Sequence, residues 1–217
     1  MNKSSLLTVS ILATFPMSLS VSASDVEVSP YIVNGSSASV TEFPSIATLF
    51  YDRIDYDGVY GSGSFCGGTL LDEQHILTAA HCFYNDNGNT IDEDTVLFTS
   101  IVPQLSDEGD FPNGNIQKVM AETFYFHPDY NHATLLNDIA IIKLASPYNI
   151  DPNTDGIQRP ADESYRGPNT FKALGHGRTT DTTNPIGALL ETTLTYETNA
   201  TCDSVFNTDI QDSHFMF

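Results

Sequence analysis

From Ile32 onward the chain is a succession of short stretches that favour extended backbone, each cut off by a cluster of Gly, Asn, Asp or Pro. Such punctuation points to antiparallel strands in a barrel or sandwich, because the breakers supply turns and the runs between them are too short for packed helices. The spacing predicts strands over Ser45–Tyr51, Phe65–Leu71, His75–Thr78, Thr95–Val102, Gln117–Tyr125 and Asp138–Leu144, enough for one small barrel. A polar, Pro-containing connector runs from Ser146 to about Pro168. Two further strands, Thr170–Gly175 and Ala188–Tyr196, precede a short helix that Thr198 or Asn199 caps and that runs toward Phe206. Two strands cannot close a second barrel, so the second unit is expected to be partial, with unpaired edges. The Asn-, Asp- and Gly-rich stretch Asp86–Asp94 reads as a solvated loop.

A length of 217 residues accommodates one large all-β domain or two small ones. The 28 acidic residues against 8 basic ones leave a formal charge of -20. A surface this negative repels phosphate backbones and anionic lipid, which argues against nucleic-acid or membrane-surface partners and in favour of plain solubility. The first residues read as an export signal, with a positive start at Lys3, an apolar run over Leu6–Phe15 and a small-residue cleavage site at Val21-Ser22-Ala23. That run is too short to span a bilayer and no later stretch is longer, so the protein is expected to be secreted, with no membrane span. Export permits disulfides. Three cysteines, Cys66, Cys82 and Cys202, allow at most one internal bridge and leave one thiol over.

Two segments carry chemistry. In Thr78-Ala79-Ala80-His81-Cys82 the apolar strand end Ile76-Leu77 leads into a turn, so His81 is held by a strand while its ring faces outward. A bridge from Cys82 to Cys66, in Phe65-Cys66-Gly67-Gly68-Thr69-Leu70, would anchor that turn; it closes a loop of about 16 residues, worth about 3 kcal/mol in chain entropy. The second segment is Asn137-Asp138-Ile139-Ala140-Ile141-Ile142-Lys143-Leu144, in which an aspartate heads an apolar strand. A carboxylate there stays solvated or finds donors, since an unpaired buried one costs several kcal/mol. An imidazole N–H is the donor that turns it into a working group, because the carboxylate then fixes the tautomer and stabilises imidazolium. Taken singly, His81 reads as a satisfied core histidine and Asp138 as a solvent-facing strand start.

Taken together, Ile32-Val33-Asn34-Gly35, Phe43-Pro44, Phe65–Leu70, Thr78–Cys82, His127-Pro128-Asp129-Tyr130, Asn137–Ala140 and Gly175-His176-Gly177 resemble, in the same order, the trypsin/chymotrypsin family of serine proteases. The resemblance implies a double antiparallel six-stranded β-barrel, chymotrypsin-like, with the active site between the barrels. With residues 1–23 read as a signal peptide from the export pattern, the likeness makes 24–31 a short propeptide and 32–217 the peptidase domain. The first barrel covers about 32–145 and a partial second barrel about 165–217. The likeness makes His81 the general base, Asp138 its orienting partner and Cys66–Cys82 a disulfide. It also implies activation by cleavage between Tyr31 and Ile32, polypeptide substrates, a separate activating protease, a monomer and no cofactor.

Three departures from the family pattern stand out. No Gly-Asp-Ser-Gly-Gly-Pro segment and no serine in G-x-S-x-G is present, so Ser62, Ser64, Ser204 and Ser213 are not replacements for the nucleophile. The odd cysteine and the partial second barrel fit truncation ahead of that segment, which leaves the chain expected to be inactive as it stands. Pro30-Tyr31, not Arg or Lys, precedes Ile32, and His176 occupies the place where the family has Trp, in a chain with no Trp. His176 reads as a packing substitution. His127, Asp129 and His132 fit a structural turn better than a metal site, and Asp107-Glu108-Gly109-Asp110 fits a solvated acidic loop better than a calcium loop. The competing functions are a non-catalytic homologue acting as a binding module and a calcium-dependent adhesion module; the second leaves Thr78–Cys82 without a role. Because Tyr31 precedes the cleavage site, the activating protease should prefer aromatic or apolar residues, and N-terminal sequencing of secreted active enzyme should read from Ile32.

Overall fold

Hydrogen bonding between successive strands closes the first part of the chain on itself. A computed structural model describes residues 35–54, 60–85, 87–88, 90–112, 116–151, 155, 157, 161–167, 169–176, 187–206 and 210. The signal and propeptide segments, Tyr31 and Ile32, Gly177 and Ser213 lie outside these residues. In chain order the elements are β1 (Ser36–Ser37), β2 (Ile46–Ile54), β3 (Tyr60–Leu70), β4 (His75–Thr78), α1 (Glu93–Leu97), β5 (Thr99–Pro103), β6 (Val119–Phe126), β7 (Ala140–Leu144), β8 (Thr170–Gly175), β9 (Leu190–Thr195) and α2 (Asn199–Phe206). Single 3-10 turns occur at His81–Phe83, Glu108–Asp110 and Glu163–Tyr165. Strands β2-β3-β4-β7-β6-β5 form a closed antiparallel barrel, and β1-β9-β8 form a separate three-stranded sheet. The all-β, chymotrypsin-like expectation is met.

Period-two alternation supplies the barrel interior. On β7, Ala140, Ile142 and Leu144 are buried while Ile141 and Lys143 are half-buried; on β4, Ile76 and Thr78 point inward. Of these, Ile76, Ile142 and Leu144 join Leu49, Leu70, Ile101 and Phe83 in one core cluster. Phe83 meets Phe65, Phe124 and Phe126 with ring centroids 5.7, 4.9 and 5.8 Å away. Full burial of such a side chain contributes about 1.5–3 kcal/mol, and edge-to-face geometry adds to it. β5 is buried at all five positions because a second cluster of Phe50, Val102, Leu105 and Phe111 covers its other side. Beside that cluster the Asp52 carboxylate, only 4% exposed, accepts from Ser100 Oγ at 2.9 Å and from Lys118 Nζ at 2.5 Å.

The bounds of β2, β3, β5, β6, β7 and β9 differ from those predicted, most of all at the starts of β5 and β3. Thr95–Leu97, expected as the start of a strand, belongs to α1, because the Asp92 carboxylate accepts from Thr95 N–H at 3.1 Å and caps a helical turn. Glu93 and Asp94 in that first turn suit the positive end of the helix dipole. β3 begins at Tyr60 rather than Phe65, since Gly61 to Ser64 pair with Tyr51, Asp52, Arg53 and Phe50 through backbone bonds that need no side-chain pattern. The pairing shifts between Leu49 and Phe50, opposite Cys66 and Ser64, which leaves Phe65 as an extra residue that bends the strand. β8 matches its expected span, and the α2 cap is Thr198, whose Oγ1 accepts from Thr201 N–H at 3.1 Å.

Gly68 is where β3 passes closest to its neighbours. A Cβ there would lie 2.7 Å from Ile76 Cγ2, 3.0 Å from Leu49 Cδ1 and 3.2 Å from the Leu77 carbonyl oxygen, whereas one on Gly67 would meet nothing within 4 Å. Gly68→Ala should therefore cost about 1–3 kcal/mol in urea unfolding followed by circular dichroism. Gly67→Ala should cost clearly less.

Candidate active site

The β4–β7 ladder pairs Thr78 with Ala140. Because the strands are antiparallel, residues just after Thr78 and just before Ala140 emerge side by side at one end of the barrel. His81 opens the 3-10 turn that follows β4, and that turn is pinned by buried Ala80 and Phe83 on either side. Asp138 stands two residues ahead of β7 and reaches across to it. Its Oδ1 accepts from the His81 backbone N–H at 2.8 Å, and its Oδ2 lies 2.7 Å from His81 Nδ1. With the carboxylate ionised, the proton on that ring belongs on Nδ1, and Nε2 is left as the basic nitrogen. The imidazole is 49% exposed and the carboxylate 20%, so the ring faces solvent while the carboxylate is largely shielded.

Cys66 and Cys82 are bonded, with Cα atoms 6.3 Å apart across a sequence separation of 16. The bridge ties the residue after His81 to β3, in line with the pairing expected from the sequence. It also accounts for the one place among the described residues where His and Cys ligand atoms cluster: Cys66, Cys82 and His81 lie together, but both sulfurs are committed to the disulfide. Cys202 is buried and unbridged.

The Asp138 side of the site rests on contacts between two segments that the sequence names but does not connect. Asn137 has φ +57°, a left-handed conformation that Asn tolerates better than most residues, and its Nδ2 donates to the Asp129 carbonyl at 3.0 Å. The turn that offers this carbonyl is closed by His127, whose Nδ1 accepts from Asp129 N–H at 3.1 Å, and by Tyr130 N–H donating to the His127 carbonyl at 3.0 Å. His127 is thus occupied within its own turn. The signal for this arrangement is the pairing of His-Pro-Asp-Tyr with a distant Asn-Asp, which spacing alone does not connect.

His176 follows β8 and faces the barrel, with Nε2 2.9 Å from the Leu105 carbonyl oxygen and Nδ1 3.4 Å from Thr48 Oγ1. It links the three-stranded sheet to the barrel through these hydrogen bonds. The acidic stretch is a capped turn, in which Asp107 accepts from Gly109 N–H at 2.8 Å and Glu108 N–H donates to the Gly187 carbonyl at 3.0 Å. Ser62 and Ser64 are exposed on β3, and Ser204 Oγ donates to the Thr201 carbonyl of its own helix at 2.7 Å. Among the described residues no serine hydroxyl is hydrogen-bonded to His81.

The Trypsin family model matches residues 32–217. Trypsin-3 of Homo sapiens is 34% identical over 110 residues, which is 50% of this chain and 32% of that protein. Trypsin of Sus scrofa is 32% identical over 114 residues, 52% of this chain and 44% of the relative. A venom serine protease of Polistes dominula is 29% identical over 149 residues, 68% of this chain and 49% of the relative. In each case the match spans less than half of the relative's own length.

The bridge generates a direct test. Replacing both Cys66 and Cys82 by Ala should lower the unfolding free energy by about 3 kcal/mol, and peptide mapping without reduction should recover Cys66 linked to Cys82 with Cys202 unlinked.

Proposed function

The chain belongs to the trypsin family, and from that premise we propose that it serves serine-type hydrolysis of peptide bonds, with His81 as general base and Asp138 as the residue that orients it. The observation that carries this reading is the two-point bond from Asp138 to the ring and the backbone N–H of His81. A carboxylate held at both oxygens cannot rotate away, so the imidazole keeps one tautomer and one direction. In the reaction, Nε2 takes the proton of a serine hydroxyl as it attacks the peptide carbonyl and later delivers it to the leaving amine, while Asp138 stabilises the imidazolium between these steps. The substrates are polypeptides, and the protein acts outside the cell after removal of residues 1–23. A protease cutting between Tyr31 and Ile32 activates it, and it works as a monomer with residues 32–217 as peptidase domain. No described helix is long and apolar enough to cross a membrane.

The nucleophile is the part that these 217 residues do not offer in G-x-S-x-G form. We therefore propose that a polypeptide of these residues alone is inactive, and that a segment carrying Gly-Asp-Ser-Gly is required for turnover. The same lack of a motif serine favours one second reading, a non-catalytic homologue that binds without cleaving. The two readings part on a single reagent class: fluorophosphonates label a serine only when a base and oxyanion donors activate it. The 217-residue chain should not label, and a form extended by the serine segment should. In that form His81→Ala or Asp138→Asn should lower kcat by roughly four orders of magnitude. Labelling of the 217-residue chain that vanishes on replacing Ser62, Ser64, Ser204 or Ser213 would overturn the proposal.

A further inference from the structure

Two loops leave the barrel on either side of the His81–Asp138 pair. One runs from Tyr84 to Ile91, two residues that bridge at its base, where Asn85 N–H donates to the Thr90 carbonyl and Asp92 N–H to that of Phe83. It springs directly from the turn that carries His81, and Tyr84 N–H donates to the His81 carbonyl at 3.2 Å. The other loop runs from Asn131 to Leu136, closed by its own bridge, and ends beside Asn137 and Asp138. The two loops touch at two places. At the tip of the first loop Gly88 lies against the His132 ring, next to the base of the second: its φ is +65°, and a Cβ built on it would overlap Cβ, Cγ and Cδ2 of that histidine. At the bases the Tyr84 and Tyr130 rings meet edge to face at 4.9 Å. The Tyr130 hydroxyl and His132 Nδ1, 3.0 Å apart, join the tip contact to the base contact.

We propose that Gly88, His132, Tyr130 and Tyr84 form a clasp that holds the His81 turn and the Asp138 turn in register, and that these are positioning residues for the pair. Each loop is closed at its own base by backbone bonds, which leave it free to move as a unit relative to the other. The clasp removes that freedom, because any motion of one loop relative to the other must open the Tyr84–Tyr130 ring contact or lift Gly88 from the imidazole. The 2.7 and 2.8 Å bonds of Asp138 to His81 cross between the same two turns, so they depend on the register that the clasp keeps. Tyr130 also sits close enough to the site to feel it: burial, then the Asp138 carboxylate and then Tyr84 hold its phenol above the ordinary value. Glycine is required at position 88 on two counts, the left-handed φ and the ring face that occupies the place of a side chain.

The catalytic meaning of the clasp rests on the reading of His81 and Asp138 as general base and orienting partner, but its physical content does not, and the test separates the two. The His81 backbone amide donates to Asp138, so its hydrogen exchange reports whether the two turns are in register. In the 217-residue chain, Gly88→Ala and His132→Ala should each lower protection of the His81 amide by about tenfold or more, while the barrel amide of Ile142 keeps its protection. Tyr130→Phe retains the ring contact and removes only the hydroxyl bond, a change the fold tolerates, and should give a smaller loss at the same amide. His132→Asn, which keeps a polar atom near the Tyr130 hydroxyl, should recover part of what His132→Ala loses. In a form extended by the serine segment the same changes should lower kcat with KM within about twofold. Unchanged protection at His81 in the Gly88 and His132 variants overturns the clasp, and so does equal loss at His81 and Ile142, which marks mere loss of stability. A selective loss at His81 in a protein whose extended form neither labels nor turns over leaves the clasp standing and sinks the catalytic reading.

Discussion

The pairing of Thr78 with Ala140 on adjacent antiparallel strands sets the geometry on which the site depends. A shift of the β4–β7 register by one residue would turn either Ile76 on β4 or Ile142 and Leu144 on β7 out of the core. It would also carry His81 and Asp138 apart along the barrel axis. The same hydrophobic demand that closes the barrel therefore fixes the separation of two polar groups some 57 residues apart in sequence. Packing stability and site geometry share one cause here, since neither can change without the other.

Around that register the barrel end is stiffened by short-range devices, each acting on one turn. Phe83, buried among three other phenylalanine rings, holds the far end of the His81 turn. The Cys66–Cys82 bridge holds its middle, and the left-handed Asn137 with its bond to the Asp129 carbonyl holds the opposite side. Two aspartates at the edges of the barrel illustrate the cost of burying charge. Asp52 is tolerated because a lysine and a serine hydroxyl satisfy it, and Asp138 because one histidine supplies both of its donors. Among the described residues Arg53, Lys118, Lys143, Arg166 and Lys172 each face a carboxylate, so the scarce positive charge is spent on local pairing while the acidic excess remains at the surface.

Much of this architecture is legible in the amino-acid sequence. Six β-prone runs between breakers form the barrel, β8 has its expected span, and the helix after Thr198 lies where its cap predicts. Legibility fails where local chemistry and long-range pairing disagree with a pattern. Thr95–Leu97 looks extended because it is β-branched and apolar, yet the Asp92 cap and the acidic first turn make it helical. Gly61–Ser64 has no pattern at all, and only the facing strand β2 draws it into the ladder.

For the site, Thr78–Cys82 and Asn137–Ala140 stand out as segments in the sequence, and it is their order among the other motifs, through the resemblance to the trypsin/chymotrypsin family, that implies a role shared by His81 and Asp138. The sequence also determined the antiparallel class, through turn residues at short intervals, and the acidic surface, through composition alone. Only the tertiary structure decided that Asp138 grips His81 at two points, that His127 is spent within its own turn, that His176 ties the smaller sheet to the barrel, and that Gly88 rests on His132. Each of these joins segments far apart in the chain or depends on a ring's orientation. Such contacts are set by strand register and packing, which the one-dimensional pattern of residues constrains but does not contain.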